Sequence, residues 1–568
     1  MTTRTTQAAV AKASEMAVGT MKMVRVGDRR VALVHTSTGF HALDNACPHE
    51  GYGLVQGALD GELLTCEWHN WKFNVADGAC VLGGEGVTTH DVTIVGDDVV
   101  VAVTEPTAEQ VRTTARESLM RGIDSSYSGQ IARDCLRLLH AGADPVDIVW
   151  DGVARTISRT EYGWNHALAM TTDCIAALDG LTGDDRLTPV AQAIAALAES
   201  ELRLPTRLRR APLADASTDD GASFLDLIET ERGDEADALI TGALLNGLDR
   251  VEAARWLIRP VCDHHLAFGH GAIYVQKAFE MLDAVGWSRA PDVLGHVAVM
   301  LVDSTREDRL PYMRPFLRAL HDIDLDEVCM SAAASSWTHG DRDELVVVLL
   351  GSDHVAAVKA AQHALDRGAG IDGLLDAVVL AASERMLRHD LTHEQHPDVS
   401  GYGWLDITHS LTYANAARWA WHTEPGAHTA RLAFYTVFHV VDGGRYTARD
   451  SSAAARTATT ADATLPIADA LARCLPDAAV AAVSTESIVD VSNALVSASL
   501  DDRSGALIVV AHHVKVARAA IREAETTGSR LPLAAAARFI AAPARQRFVA
   551  NGVARARHFL NTGTPPPR

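Results

Sequence analysis

Residues 40–57 read FHALDNACPHEGYGLVQG, and residues 61–84 read GELLTCEWHNWKFNVADGACVLGG. Within them Cys47-Pro48-His49 and Cys66-Glu67-Trp68-His69 make a C-x-H and C-x-x-H ligand set. Each loop supplies one thiolate and one imidazole, so a two-iron cluster can take both cysteines on one iron and both histidines on the other. Zinc could close a tetrahedral site on the same donors, although zinc fingers usually pair C-x-x-C with H-x3-5-H. The donor set therefore predicts a [2Fe-2S] cluster held by Cys47, His49, Cys66 and His69.

The two Gly-flanked loops and the aromatic-rich strand text after them closely resemble the Rieske [2Fe-2S] family. The resemblance implies a small all-β domain. High-potential members carry an extra cysteine in each loop, and this chain lacks them. Trp71 and Phe73 stand where hydroxyl donors occur in those relatives, and Glu67 adds a negative charge beside a ligand. Fewer hydrogen bonds and more negative charge favour the oxidised cluster, which predicts a potential near the lower Rieske limit of about −150 mV. The chain departs from the family at two places. Asn70 replaces the Gly that usually follows the second His, a mild change because Asn tolerates positive φ. Gly83-Gly84 replaces a proline-bearing third loop, which leaves the packing of that loop open.

Strand-like text with period 2, such as KMVRVGDRRVALVHT and DDVVVAVT, ends near Thr104. The chain has 568 residues, too many for one domain. From Ala108 onward the apolar period becomes helical, with Gly, Asp or Pro between segments. The expected architecture is multidomain: a Rieske domain over residues 1–104, then a large all-α, His-rich domain over 105–568. A net charge of −22 argues against nucleic acid and anionic membrane surfaces as partners. No apolar run reaches the roughly 18 residues of a membrane span, and MTTRTTQAAVAKASEMAVG lacks the order of a signal peptide. Eight cysteines, six of them scattered singly, read as thiols of a reducing compartment, so a cytoplasmic location is expected.

The helical text repeats a pattern. YGWNHALAMTTDCIAAL, FGHGAIYVQKAFEML, LDITHSLTYANAARW and VAHHVKVARAAIREA align with His166, His270, His409 and His513 in one column. His166 to His270 and His409 to His513 are both 104 positions, as in a duplicated pair of units. Four such helices in a bundle could bring the imidazoles to one metal, iron first among the candidates. In a solenoid they would lie far apart, and each could equally be an ordinary core histidine. Beyond the first domain the only lysines are Lys277, Lys359 and Lys515. Lys277 lies two turns past His270 and Lys515 two residues past His513, so either could serve the site, or snorkel to solvent.

NHAL, GHG and THSLTYANAARW resemble the questin oxidase-like family of His-rich helical oxygenases over about residues 120–525. That resemblance implies a His-ligated iron with a modified lysine and an aromatic polyketide-like substrate. Carried over, it names His166, His270, His409 and His513, with Lys277 ahead of Lys515. His264 and His265, and the group His389, His393 and His396, are rivals. The mixed α/β iron domain of ring-hydroxylating oxygenases has no counterpart in the text. A metal-dependent hydrolase built on His389-Asp390 would leave the first domain unexplained.

The expected function is oxidoreductase chemistry. A reductase or ferredoxin supplies electrons to the [2Fe-2S] cluster, which passes them to a non-haem metal that uses O2 on a small substrate. The alternative is an electron carrier with a helical docking scaffold and no second active site. A homo-oligomer is compatible with either.

Overall fold

The computed structural model describes residues 4–330, 333–391, 403–447, 465–502, 504 and 506–542. The chain forms two compact units, one of residues 1–155 with 181–198, the other of 156–180 with 199–568.

The first unit opens with ten strands: β1 (Thr5–Lys12), β2 (Thr20–Val26), β3 (Arg29–Thr36), β4 (Gly39–Asp44), β5 (Ala58–Asp60), β6 (Leu63–Thr65), β7 (Lys72–Asn74), β8 (Cys80–Leu82), β9 (Thr89–Val95) and β10 (Asp98–Thr104). Six form an antiparallel sheet in the order β1-β10-β9-β4-β3-β2, and four form a second sheet in the order β5-β6-β7-β8. Strand β3 explains how they share a core. Its run Val31-Ala32-Leu33-Val34 is wholly buried, because side chains alternate between two occupied faces. Val31 and Leu33 pack with Val24, Val99 and Val101. Ala32 and Val34 pack with Leu54, Leu64, Phe73 and the two loop cysteines.

The same unit includes the helices Ala108–Asp124, Ser128–His140 and Leu187–Ser200 over most or all of their lengths. The first begins with a capping box, in which Thr107 and Gln110 satisfy each other's backbone N–H groups. This unit extends well beyond Thr104, and the third loop of the β domain ties the Ser128–His140 helix to it. Glu85 is buried there and accepts from Arg133 Nε and Nη2 at 2.9 and 2.8 Å, while Arg137 Nη1 lies 2.9 Å from its other oxygen. The Gly83-Gly84 backbone lies so close to Trp71 and Gln130 that a Cβ at either position would collide with them. Two glycines thus let the loop pass under Trp71 and dock on the Ser128–His140 helix.

The second unit is helical throughout its described residues apart from loops and isolated bridges. At its centre the helices His166–Ala176, His270–Val285, Gly403–Thr423 and Leu507–Thr527 pack pairwise in a closed ring. The Gly403–Thr423 helix is buried around nearly its whole circumference, as its apolar and small residues on every side require.

Candidate metal centres

In the first unit, Cys47 and His49 sit on the loop between β4 and β5, and Cys66 and His69 on the loop between β6 and β7. Backbone bonds close both loops. Cys47 N–H donates to Tyr52 O and Gly51 N–H to Cys47 O, both at 2.8 Å. In the second loop Cys66 N–H donates to Trp71 O at 2.8 Å and Asn70 N–H to Cys66 O at 3.1 Å. Asn70 takes φ +59°, the left-handed conformation expected of the residue in that place. Gly57 is required by close approach, since a Cβ there would lie 1.9 Å from Thr65 O.

The loops bring all four sequence-predicted donors together. Both thiols are buried, and burial, with Cys66 alongside, pushes Cys47 up to about 11. The imidazoles of His49 and His69 lie 4.4 Å apart, edge to face. His49 stacks on Trp71 at 4.8 Å, and its Nδ1 is buried without a hydrogen-bond partner among the described residues. Two buried thiols that need deprotonation, beside an orphaned imidazole nitrogen, are a donor set that fits a cationic cluster. His69 is exposed, with its Nε2 3.8 Å from Glu50. Beside it Trp68 stacks on Tyr52 and remains 56% exposed.

The second unit holds a different arrangement. His166, His270, His409 and His512 each offer a nitrogen, and the four nitrogens lie within 4.8 Å of one another. Three of the predicted histidines are in this ring, and His512 takes the place assigned to His513. His512 continues the helix stripe that faces the bundle. His513, about 100° further round, packs on Phe539 at 4.7 Å. The alignment column of His166, His270, His409 and His513 is thus one residue off in its last member.

Hydrogen bonds set the tautomers. His270 Nδ1 donates to Ala267 O at 2.5 Å, His409 Nδ1 to Leu405 O at 2.5 Å, and His512 Nδ1 to Ile508 O at 2.6 Å. Because a carbonyl only accepts, each Nδ1 carries the proton and each Nε2 of a neutral ring presents a lone pair. Yet His409 Nε2 and His270 Nε2 face each other at 2.9 Å, and His512 Nε2 has no hydrogen-bond partner among the described residues. His166 Nε2 lies 3.1 Å from His270 Nε2, and the Tyr274 hydroxyl reaches His166 Nδ1 at 3.0 Å. Converging lone pairs with the other ring nitrogen tied to backbone match the outer-shell pattern of metal-ligating histidines. Burial pushes His270 down to about 4 and the other three well below their ordinary range, so all four are neutral and able to ligate. The carbonyl that orients His270 belongs to a strained turn, in which Ala267, Phe268 and Gly269 have φ of +47°, +54° and +89°.

Lys277 does not reach the ring. It lies two turns along its helix and pairs with Asp173 and Glu280. Lys515, one turn past His512, is the lysine whose charge acts on His166, His270, His409 and His512; burial brings it down to about 7. Sequence reasoning missed His512, Tyr274 and the precedence of Lys515; the i, i+3 spacing of His512 and Lys515 was the available signal. The rivals are placed elsewhere. His264 belongs to an ionic group with Glu229, Arg306 and Asp308. His265 is buried beside His439, with the ring centres 4.8 Å apart. His389 packs on Trp404 at 4.2 Å, and His393 and His396 lie outside the described residues.

Comparison with known proteins bears on the first centre. A family model of the Rieske [2Fe-2S] domain matches residues 6–105. The ferredoxin component of the alkene monooxygenase system of Xanthobacter autotrophicus is 40% identical over 76 residues, 13% of this chain and 57% of that protein. Ferredoxin CarAc of Metapseudomonas resinovorans is 37% identical over 70 residues, 12% of this chain and 65% of that protein. Human apoptosis-inducing factor 3 is 39% identical over 72 residues, which is 12% of its length. A solved complex of reduced oxygenase and oxidized ferredoxin in carbazole 1,9a-dioxygenase matches at 30% identity, over 17% of this chain and 92% of that one, with a TM-score of 0.17. The chain thus spans less than two thirds of these curated relatives. Among the described residues no helix is long and apolar enough to cross a membrane.

Proposed function

With a Rieske [2Fe-2S] domain at residues 6–105 as the premise, we propose that the chain is an iron-sulfur oxidoreductase whose helical unit holds a second, non-haem metal. Cys47 and Cys66 hold one iron of the cluster, and His49 and His69 the other. Electrons enter from a reductase or ferredoxin at the exposed edge of His69. His166, His270, His409 and His512 hold the second metal, iron first among the candidates, with Lys515 beside them. That metal supplies Lewis-acid binding and electron storage for O2 chemistry on a small substrate, aromatic or polyketide-like. The chain's own groups orient the ligands and keep the imidazoles neutral. The six cysteines outside the cluster form no disulfide among the described residues, which supports a reducing, cytoplasmic setting.

The observation that carries this reading is the approach of His270 Nε2 and His409 Nε2 to 2.9 Å when both Nδ1 atoms donate to carbonyls. Two facing lone pairs repel each other unless a cation lies between them. For a tetrahedral ion at about 2.0–2.1 Å from each nitrogen, ligand nitrogens stand about 3.4 Å apart, within the observed span.

The test is iron and acid-labile sulfide per chain, with total metal, on anaerobically purified protein. More metal than the two cluster irons, lost on His409→Ala and retained on His513→Ala, supports the reading. Two irons, two sulfides and no further metal would leave an electron carrier with a helical scaffold.

A further inference from the structure

His166 differs from the other three ring histidines in where it stands on its helix. His409 and His512 lie well inside theirs, so each Nδ1 meets the carbonyl four residues back. His270 opens its helix but follows the left-handed turn Ala267–Gly269, which brings Ala267 O to its Nδ1. His166 also opens its helix, directly after the extended cap Asn165, with φ −147° and ψ −175°. The carbonyl four residues before it, on Tyr162, accepts from Trp164 N–H at 3.0 Å instead. What meets His166 Nδ1 is the Tyr274 hydroxyl, at 3.0 Å.

Tyr274 lies four residues past His270, so one helix supplies both a ring imidazole and the outer partner of its neighbour. The phenol is buried, with its ring centre 5.8 Å from that of His166 and 5.3 Å from that of His270. Among the described residues its hydroxyl has no second hydrogen-bond partner. The start of the His166 helix is pinned independently of Tyr274. Asn165 Oδ1 accepts from Leu168 N–H at 3.1 Å, and Asn165 Nδ2 donates to Ser200 Oγ at 2.8 Å. These bonds fix the backbone and leave the rotation of the His166 ring to Tyr274. A tyrosine buried for packing needs only some partner for its hydroxyl. Here that partner is the outer nitrogen of a ring imidazole, the atom that supporting groups hold in metal sites.

We propose that Tyr274 is the positioning residue of His166: its hydroxyl oxygen accepts the Nδ1–H, fixes the ring and leaves the Nε2 lone pair aimed at the metal. This role rests on the four-histidine metal reading, because a hydroxyl can donate as well as accept, and a cation at Nε2 is what sets the proton on Nδ1. His166 is thereby the ligand whose orientation comes from a side chain, so one substitution loosens it while every ligand and the backbone stay in place.

The experiment uses the full, cluster-bearing chain, dialysed against a chelator and reloaded with Cu2+. Pulsed electron paramagnetic resonance reads the outer nitrogens of copper-bound imidazoles, with the cluster kept oxidised so that its signal is absent. In wild type, three outer nitrogens tied to carbonyls should share one quadrupole coupling, and the fourth should differ. Tyr274→Phe should move the fourth alone, still take up one Cu2+ per chain at saturation, and bind it roughly 10–100-fold more weakly in competition with a chelator. A general structural lesion would spread over all four nitrogens. Four alike nitrogens in wild type overturn the role whether or not the variant folds, as does a variant with an unchanged spectrum and affinity. A wild type holding no copper that His409→Ala loses removes the metal reading and the role with it. Copper lost in His409→Ala but held alike by wild type and Tyr274→Phe removes the role of Tyr274 alone.

Discussion

The two candidate centres use the same side chain in opposite ways. In the β domain, His69 projects from a backbone-closed loop into solvent beside exposed Trp68, and the thiols form the buried half of the site. In the helical unit, His409 and His512 are buried and His166 and His270 partly buried, and three of the four are tied by Nδ1 to carbonyls of their own segment, three or four residues back. The first geometry suits exchange of electrons with another protein at a surface. The second sets its imidazoles further from water, which strengthens the electrostatic interactions among them. The two centres differ in solvent access as well as in donor set.

The largest expected effects come from removing ligands, one centre at a time. Cys66→Ser should abolish the cluster's visible absorbance and acid-labile sulfide while leaving metal in the helical unit. His409→Ala should do the reverse. Loss of both metals in either variant would show that the centres are not independent, and metal analysis beside the absorption spectrum reads this directly.

Next in size is the response of the metal-free helical unit to acid. Burial lowers His265 to about 3 and His296 to about 4, from an ordinary 6.5. Both are neutral when folded, so the unfolded chain binds protons first as pH falls. Their stabilising contribution is complete above about pH 6.5 and is lost progressively from there down to about 4 for His296 and about 3 for His265. Each contributes a slope of up to about 1.4 kcal/mol per pH unit in that window. Denaturant unfolding at a series of pH values should show His265→Phe with a slope shallower by about one such increment. An unchanged slope would mean that His265 is already protonated in the fold.

How much of this was legible beforehand follows from the locality of the signals. The Rieske ligands lie within 23 positions and carry their own loop glycines, so the motif, the cofactor and the change from strand to helix near Thr104 could all be read. The ring takes one residue from each of four helices spread from His166 to His512. There, an alignment fixes helix phase only to within a residue, and in His512-His513 one residue is the difference between the chamber and Phe539. In the sequence, a seven-residue spacing restores the helix face and so points to Lys277 ahead of Lys515. The same seven residues move a side chain about 10 Å along the axis, far enough to join Asp173 instead. Nor could the text show that Glu85 ties the third loop to Arg133 and Arg137.

That clamp provides a prediction of intermediate size on the β side. Glu85→Ala removes a buried carboxylate from two arginines that are partly exposed. The freed guanidinium groups can turn to water, so the cost should be about 1–3 kcal/mol, less than for a fully buried pair. Thermal melting followed by cluster absorbance should show an earlier loss of the cluster. A melting curve superimposable on wild type would mean that the third loop is held by its glycine packing alone.

The smallest expected effect tests how far loop backbone, rather than side-chain bonding, holds the exposed centre. Asn70 follows ligand His69 directly and has φ +59°. A left-handed residue costs roughly 1–2 kcal/mol for most side chains, and little for Gly or Asn. Asn70→Ala should therefore lower the stability of the cluster-bearing domain by about 1 kcal/mol, and Asn70→Gly by a few tenths at most. The Gly variant should leave the reduction potential where it was, because the Asn70 N–H that closes the loop on Cys66 O is kept. If Gly and Ala are equally damaging, the carboxamide itself makes a contact that matters. If both are silent, the loop is held by the cluster rather than by its backbone, and the comparison with the carbonyl-tied histidines of the helical ring loses its sharpest point.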